Sequence, residues 1–180
     1  MMRSLLLISF LACSLISRST FAQFTQPQWL EEWKRAKEYT KAYLDAMPED
    51  GYTFKPTAEI RSFAQQMLHL ADGNYLFGSM GAGKPSPFGQ TLPQHDQSEK
   101  TIMPTKEATT KAVMDSYDFV ISGMEATTAA QGTEIIKIGK RDISRSGMFA
   151  KAFEHQTHHR GQTTVYLRLK GIAPPPEQLF

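Results

Sequence analysis

Three of the chain's five histidines fall close together near the C-terminus, within the run from Glu154 to Gln162. Two of them, His155 and His159, are four residues apart, and in a helix this spacing places both imidazoles on one face, one turn apart. Such a pair can bind a single metal ion, although the same HxxxH spacing is also typical of a solvated helix face. A third ligand would have to come from elsewhere, and His69 is the best candidate.

Cysteine usage limits the ligands that such a site can use. Cys13 is the only cysteine, and it lies in a segment predicted to be removed on export, so the mature chain has neither thiolate ligands nor disulfides. A metal ion would therefore be bound by His, Asp or Glu. Stability would come from the hydrophobic core.

Four amphipathic stretches are available to position these histidines, each with apolar residues at helical spacing and charges between them. The first is predicted from Pro27 to about Met47, the second from the N-cap Thr57, just after Pro56, to about Met80, the third from Lys106 to Thr128, and the fourth from Ser146 to Lys170, capped by Gly171. Four such helices in one domain predict an all-α four-helix bundle.

Two segments between the helices are predicted to be irregular. The stretch from Gly81 to Lys100 is rich in Gly, Pro and Gln and is typical of a long loop. The stretch from Gly132 to Ser144 contains the β-branched residues Ile135, Ile136 and Ile138, which favour extended structure. Connections of this length leave room for crossovers, so a simple up-down-up-down order is not required.

The predicted fourth helix carries a stripe that is apolar at its ends and polar in its middle. At about 100° per residue, this stripe consists of Met148, Ala152, His155, His159, Gln162, Tyr166 and Leu169. Each buried polar group on a core face needs its own partner, and a bound cation would supply one for both imidazoles at once. His158 points elsewhere on the helical wheel and is predicted to lie on the surface or to support the site.

The wheel of the second helix leaves His69 ambiguous. Its apolar residues centre on one side, while His69 falls nearly opposite them, together with Gln66 and Asp72. One interpretation is an exposed histidine. The other is that this helix has two occupied faces, one in the core and one that lines a polar cleft facing the fourth helix.

Residues 1–22 have the pattern of a secretory signal peptide. Arg3 provides a short positive region, an apolar run extends from Leu5 to Ile16, and Ala22 ends a small-x-small cleavage site. The mature domain is therefore expected to span residues 23–180 and to be secreted or periplasmic.

The apolar run is too short to span a bilayer, so no stable membrane span is expected. A lipoprotein signal acylated at Cys13 is the less favoured alternative, because Phe10 and Leu11 fit that pattern poorly.

The charge of the chain argues against nucleic acid as a partner. The full chain has 20 basic and 18 acidic side chains, and removal of residues 1–22 deletes Arg3 and Arg18 but no acid, which leaves the mature protein neutral. A neutral domain without Lys/Arg clusters offers no electrostatic footprint for nucleic acid or for an anionic membrane surface.

Three motifs carry a resemblance to a known family. They are FAQQMLHLADGNY at 63–75, HQTHHRGQ at 155–162 and YLRLKGIAPP at 166–175. In order and spacing, the chain resembles the DinB/YfiT-like superfamily over essentially the whole mature sequence.

The resemblance implies a four-helix bundle with up-down-down-up topology and a metal site of three histidines, one from the second helix and a pair from the fourth. Carried over by position, these ligands are His69, His155 and His159, and the cleft interpretation of His69 is favoured. Family members often have Glu immediately before the last ligand, where this chain has His158. The role of such a carboxylate does not transfer, although the triad does.

Three imidazoles without thiolate suit Zn²⁺ or Ni²⁺ and are compatible with Fe²⁺ or Mn²⁺. Three protein ligands leave at least one position open for water or for an incoming anion, thiolate or carbonyl. Asp72 is a candidate to orient His69 or to accept a proton, and Gln162 and Tyr166 are candidates to donate hydrogen bonds to a bound ligand.

The resemblance implies either metal-dependent hydrolysis or thiol-dependent transfer. Export favours hydrolysis, because cytoplasmic thiol cofactors are scarce outside the membrane. Two alternatives stay open, a non-catalytic module that binds metal or a small ligand, and a helical interaction protein that forms a homodimer through the face of Trp29 and Trp33.

Overall fold

The computed structural model describes residues 25–88 and 96–180, and within them the chain forms a bundle of four long helices. In chain order the helices are α1 (Gln26–Ala46), α2 (Phe63–Ala82), α3 (Gln97–Thr101), α4 (Lys106–Ala126), α5 (Ala129–Gly132) and α6 (Arg145–Leu169), of which α3 and α5 are short. The predicted signal peptide at 1–22, with Cys13, lies outside the described residues. No helix of the described residues is both long and apolar enough to cross a membrane.

Side-chain contacts give the directions of the long helices. Partner numbers rise together between α1 and α6 (Trp29 with Phe153, Tyr43 with Thr164) and between α2 and α4 (Asn74 with Ser116, Ala82 with Gly123). They run in opposite directions between α2 and α6 (Phe63 with Tyr166, His69 with His159). Parallel and antiparallel pairs of this kind define an up-down-down-up bundle, so the predicted fold class and topology are confirmed.

The predicted start of the second helix is wrong. Helix α2 begins at Phe63, because Ser62 and Gln65 form a capping box in which each side chain bonds the other's backbone N–H. The preceding segment folds back instead of continuing as helix, since the backbone N–H of Phe63 donates to the carbonyl of Phe54. Thr57 therefore lies in a loop and caps nothing.

The two segments that are predicted to be irregular adopt different structures. The predicted extended segment is a two-stranded antiparallel hairpin, β1 (Ile135–Ile138) and β2 (Arg141–Ser144), turned at Gly139 with a φ of 60°. The predicted loop contains the short helix α3 in its described part. Gly171 adopts a φ of 75° just after α6, the left-handed conformation that a helix terminator needs.

Of the two tryptophans predicted to form an interface, Trp33 lies in the core and Trp29 packs against it. Trp33 is fully buried and packs edge-on against Tyr117 and Phe153. Trp29 is half-buried, with its ring centroid 5.4 Å from that of Phe153. The interface predicted for Trp29 and Trp33 is therefore wrong for Trp33, which stabilises the monomer and is inaccessible to a partner.

Candidate metal centre

The candidate site lies on the seam between α2 and α6. Contacts along this antiparallel seam pair Phe63 with Tyr166, His69 with His159, Gly73 with His155 and Gly81 with Phe149. The polar pairs occupy the middle of the seam and the aromatic ones flank it. The face of α2 that carries His69, which lies opposite the apolar stripe on a helical wheel, is thus covered by α6.

All three predicted ligands meet in the middle of this seam. The ring centroid of His69 is 5.2 Å from that of His155 and 4.5 Å from that of His159, and the last two are 4.3 Å apart. Each imidazole offers one nitrogen, and these nitrogens lie within 4.8 Å of one another. His69 and His159 are buried and His155 is half-buried. This cluster could hold a divalent metal ion.

A glycine makes room for His155, one of the candidate ligands. A Cβ built on Gly73 would overlap the imidazole of His155, with contacts to Nδ1 and to Cε1 both shorter than the 3.0 Å limit of real Cβ atoms. Only glycine therefore lets the ring of His155 lie against the backbone of α2.

The protonation state of His159 suits the binding of a cation. Burial is the largest of the causes that together lower the pKa of His159 to about 3, and the neighbouring imidazoles of His155, His69 and His158 and the guanidinium of Arg61 act in the same direction. His159 is consequently neutral near pH 7, and a neutral imidazole is the form that binds a metal.

Two side-chain amides border the histidines on the side of the α6 C-terminus. Gln66 Nε2 lies 2.8 Å from Nδ1 of His159 and also donates to Oε1 of Gln162. Gln162 Nε2 in turn lies 2.7 Å from Nε2 of the exposed His158. Gln162 thus contacts the surroundings of the cluster, as its place on the wheel predicts, and Gln66 lies on the face of α2 that the wheel assigns to it together with His69.

Two carboxylates that the sequence analysis did not single out lie beside the third histidine. Asp96 Oδ1 is 2.9 Å and Glu99 Oε1 is 3.3 Å from Nδ1 of His69. Arg61 binds the same pair, with Nε 2.8 Å from Glu99 Oε1 and Nη2 3.5 Å from Asp96 Oδ1. No spacing signal reveals them, because the contact depends on how the connection after α2 returns to it.

The other two supporting candidates contact backbone or α3 groups. Asp72 is buried and accepts hydrogen bonds from the backbone N–H of Ser98 at 3.1 Å and from its hydroxyl at 2.5 Å. Tyr166 donates its hydroxyl to the carbonyl of Arg61 at 2.7 Å. In the structure these two side chains fix the elements around the site.

The opposite face of α6 is held by a buried polar network. Tyr117 donates to Oε1 of Gln156 at 2.8 Å and accepts from the hydroxyl of Thr40 at 2.6 Å. Arg160 Nη1 donates to the same Gln156 oxygen at 3.0 Å, and its guanidinium lies 4.4 Å above the ring of Tyr39. Gln156 and Arg160 alternate with the two histidines along the chain, so this network fixes the rotation of α6.

A groove of about 840 Å³ opens beside the amides. Its walls come from the segment before α2, from the start of α2, from α3 and from α6, and they include Arg61, Gln66, Glu99, Gln162 and Tyr166. The groove therefore shares residues with the surroundings of His69 and His159.

The fold and the cluster define a class of protein, an up-down-down-up four-helix bundle whose second and last long helices bring three histidines together. The chain belongs to the DinB family, whose sequence model matches residues 17–179. The resemblance predicted from the sequence is confirmed.

Similar proteins come from several bacteria. The uncharacterized protein YjoA of Bacillus subtilis is 21% identical over 141 residues, which is 78% of this chain and 87% of that protein. The crystal structure of YjoA is matched with a TM-score of 0.66 at 18% identity, over 84% of this chain and 96% of YjoA. A DinB-like protein of Bacillus cereus ATCC 10987 is matched with a TM-score of 0.68 at 16% identity, over the same shares of each chain. A conserved protein of Enterococcus faecalis gives 0.65 at 19% identity, over 82% of this chain and 98% of that one. At these identities the likeness to the solved structures shows the fold alone.

Proposed function

We propose that the chain is an exported metalloprotein that binds one divalent ion, Zn²⁺ or Ni²⁺, through His69, His155 and His159, and that it hydrolyses a small molecule there. The observation that carries this proposal is the convergence of three imidazole nitrogens within 4.8 Å on the α2–α6 seam. The room made by Gly73 and the neutral state of His159 support it.

The proposed chemistry follows from an incomplete ligand set. An ion held by three imidazoles would keep an open position and would act there as a Lewis acid, and Zn²⁺ in such a site would bring the pKa of bound water to about 7. The groove beside Gln66 and Gln162 is the proposed route for substrate. The two amides can orient a polar group of that substrate, because each carries both hydrogen-bond donors and an acceptor.

Metal analysis tests the site. The purified mature protein is stripped, reconstituted with Zn²⁺ or Ni²⁺, desalted and analysed, with His155→Ala as the test variant and the exposed His158→Ala as the matched control. We expect about one equivalent in the wild type and the control, as for a single mononuclear site. Less than about a tenth of an equivalent in the wild type would refute the site, since a preformed three-ligand site retains its ion through desalting.

Turnover separates an enzyme from a binding module. A panel of ester, amide and thiol-conjugate substrates is assayed with the metal-loaded wild type, His155→Ala and His158→Ala. Hydrolysis that His155→Ala abolishes and His158→Ala retains supports the proposal. A thiol-conjugate activity alone would favour transfer, and a loaded protein inert on the whole panel would favour a binding module.

Export is tested by the N-terminus of the protein made in a bacterial host. Recovery from the periplasm or medium with Gln23 as the first residue supports the proposed signal peptide. A lipid-modified Cys13 would establish the lipoprotein alternative.

A further inference from the structure

Helix α3 and the residue just before it bring two carboxylates against one nitrogen of a candidate ligand. The nitrogen is Nδ1 of His69, with Asp96 Oδ1 at 2.9 Å and Glu99 Oε1 at 3.3 Å. An ionised carboxylate can only accept a hydrogen bond, so Nδ1 must carry the proton. A neutral imidazole protonated at Nδ1 has its free electron pair on Nε2, which is then the atom available to a cation.

We infer that Asp96 and Glu99 are positioning residues for His69, which fix its tautomer and its ring orientation so that Nε2 is presented to the other two histidines. The inference rests on the proposed function, since it assigns these carboxylates a part in metal binding. Partners of this kind also raise the basicity of a ligating imidazole and hence the strength with which it binds the ion.

The position of α3 is itself fixed from α2. The carboxylate of Asp72 lies one turn beyond His69 on the same helix and accepts hydrogen bonds from both the backbone N–H and the hydroxyl of Ser98. Helix α2 therefore carries the ligand and also the group that holds the supporting helix against it. A rigid attachment of this kind keeps Asp96 and Glu99 at fixed distances from the ring.

His69, Asp96 and Glu99 could instead hold a second cation between them. The guanidinium of Arg61 argues against that alternative, because it already binds both carboxylates. A positive charge at this distance opposes the binding of a further cation. Arg61 thus favours the positioning role for Asp96 and Glu99.

The first test needs no metal. Nitrogen-15 shifts of the histidine rings are recorded for the stripped protein at a pH where imidazoles are neutral. We expect the Nδ1–H form of His69 in the wild type, and a shift toward the Nε2–H form, the one preferred by an unrestrained imidazole, in Asp96→Ala/Glu99→Ala. A wild-type His69 protonated at Nε2 would overturn the inference and leave the proposed metal site standing.

The second test measures Zn²⁺ affinity by competition with a chelating dye. Loss of both carboxylates should weaken binding about 10- to 100-fold, and Asp96→Asn/Glu99→Gln, which keeps acceptors without charge, should fall between. Asp115→Asn, which breaks an exposed pair with Lys111 on α4, is the control and should bind as the wild type does. Equal affinity in all four proteins, or two ions bound per wild-type chain, would overturn the inference. A wild type that binds no ion refutes the proposed function, whatever the first test shows about the tautomer.

Discussion

Gly73 of α2 and His155 of α6 are in direct contact, with the imidazole lying where a Cβ on Gly73 would be. The contact sets how closely the two helices approach at the candidate site. It also makes the orientation of His155, a candidate ligand on α6, depend on the residue at position 73 of α2.

The substitution Gly73→Ala should therefore disturb the site through sterics alone. The added methyl group would displace the ring of His155, and we expect Zn²⁺ affinity to fall about 10- to 100-fold, as when the orientation of a ligand is lost. Overpacking should also destabilise the metal-free protein by about 1–3 kcal/mol. Chelator competition and urea unfolding measure the two effects.

Gly161→Ala is the matched control, because Gly161 is an exposed helical glycine whose Cβ would meet nothing within 4 Å among the described residues. This change should leave affinity unaltered and raise stability by about 0.5–1 kcal/mol through helix propensity. Equal Zn²⁺ affinity in the two variants would show that the close approach at Gly73 does not matter for the site.

The metal-free protein should lose stability as the pH falls below 6.5, the ordinary pKa of a histidine side chain. Burial and the positive surroundings lower the pKa of His159 from 6.5 to about 3 in the folded state. Between these values the unfolded chain binds a proton that the folded chain does not, so stability rises with pH across that window and decreases as the pH falls through it. Urea unfolding in EDTA at several pH values measures the slope.

Two variants assign that slope to a residue. His159→Gln should flatten the dependence of the unfolding free energy on pH below 6.5, the ordinary pKa of the imidazole. His158→Gln, on the exposed face, should change that dependence much less, because His158 is only one of the smaller causes of the lowered pKa of His159. A slope that is the same in all three proteins would contradict the depressed pKa of His159.

The sequence predicted the histidine cluster and the long helices better than the groups around that cluster. The HxxxH spacing fixes a geometry within one helix, and Gly171, which ends α6, is a local signal. The start of α2 was misplaced because Pro56 and Thr57 imitate a helix start, although the true capping box, Ser62 and Gln65, is also visible in the sequence.

The neighbours of His69 could not be predicted in the same way. The contacts of Asp96 and Glu99 with His69 join residues that are 27 and 30 positions apart. They arise only because the connection after α2 returns to that helix and is fastened at Asp72. A helical wheel treats each helix alone, so it cannot show that a polar face is covered by another part of the chain.

The network behind α6 should support stability independently of the site. Tyr117→Phe removes the donor to Gln156 and the acceptor for Thr40, all three of them buried. We expect a loss of about 1–2 kcal/mol in the free energy of unfolding, since Gln156 keeps its bond from Arg160. Tyr43→Phe, which breaks a half-buried bond to Thr164, is the control and should cost less. A loss of Zn²⁺ affinity in Tyr117→Phe would show that the network also positions the histidines.

Arg145 should stabilise the far end of α2, away from the histidines. It is buried at the start of α6, and its Nε donates to the carbonyl of Gly81 at 2.8 Å, in the last turn of α2, where a cation and a donor are both favourable. Arg145→Met should lower the free energy of unfolding by about 1.5–3 kcal/mol, the range for a hydrogen bond to a charged group.

The control is Glu134, the second partner of Arg145. Glu134 is more than half exposed, with its Oε2 3.0 Å from Nη1 of Arg145, so Glu134→Gln should change stability by less than about 1 kcal/mol. If Glu134→Gln lowers the free energy of unfolding as much as Arg145→Met does, then Arg145 stabilises the protein through the surface ion pair and not through the cap on α2. Unaltered Zn²⁺ binding in both variants is expected, because Gly81 lies two helical turns beyond Gly73 on the α2–α6 seam.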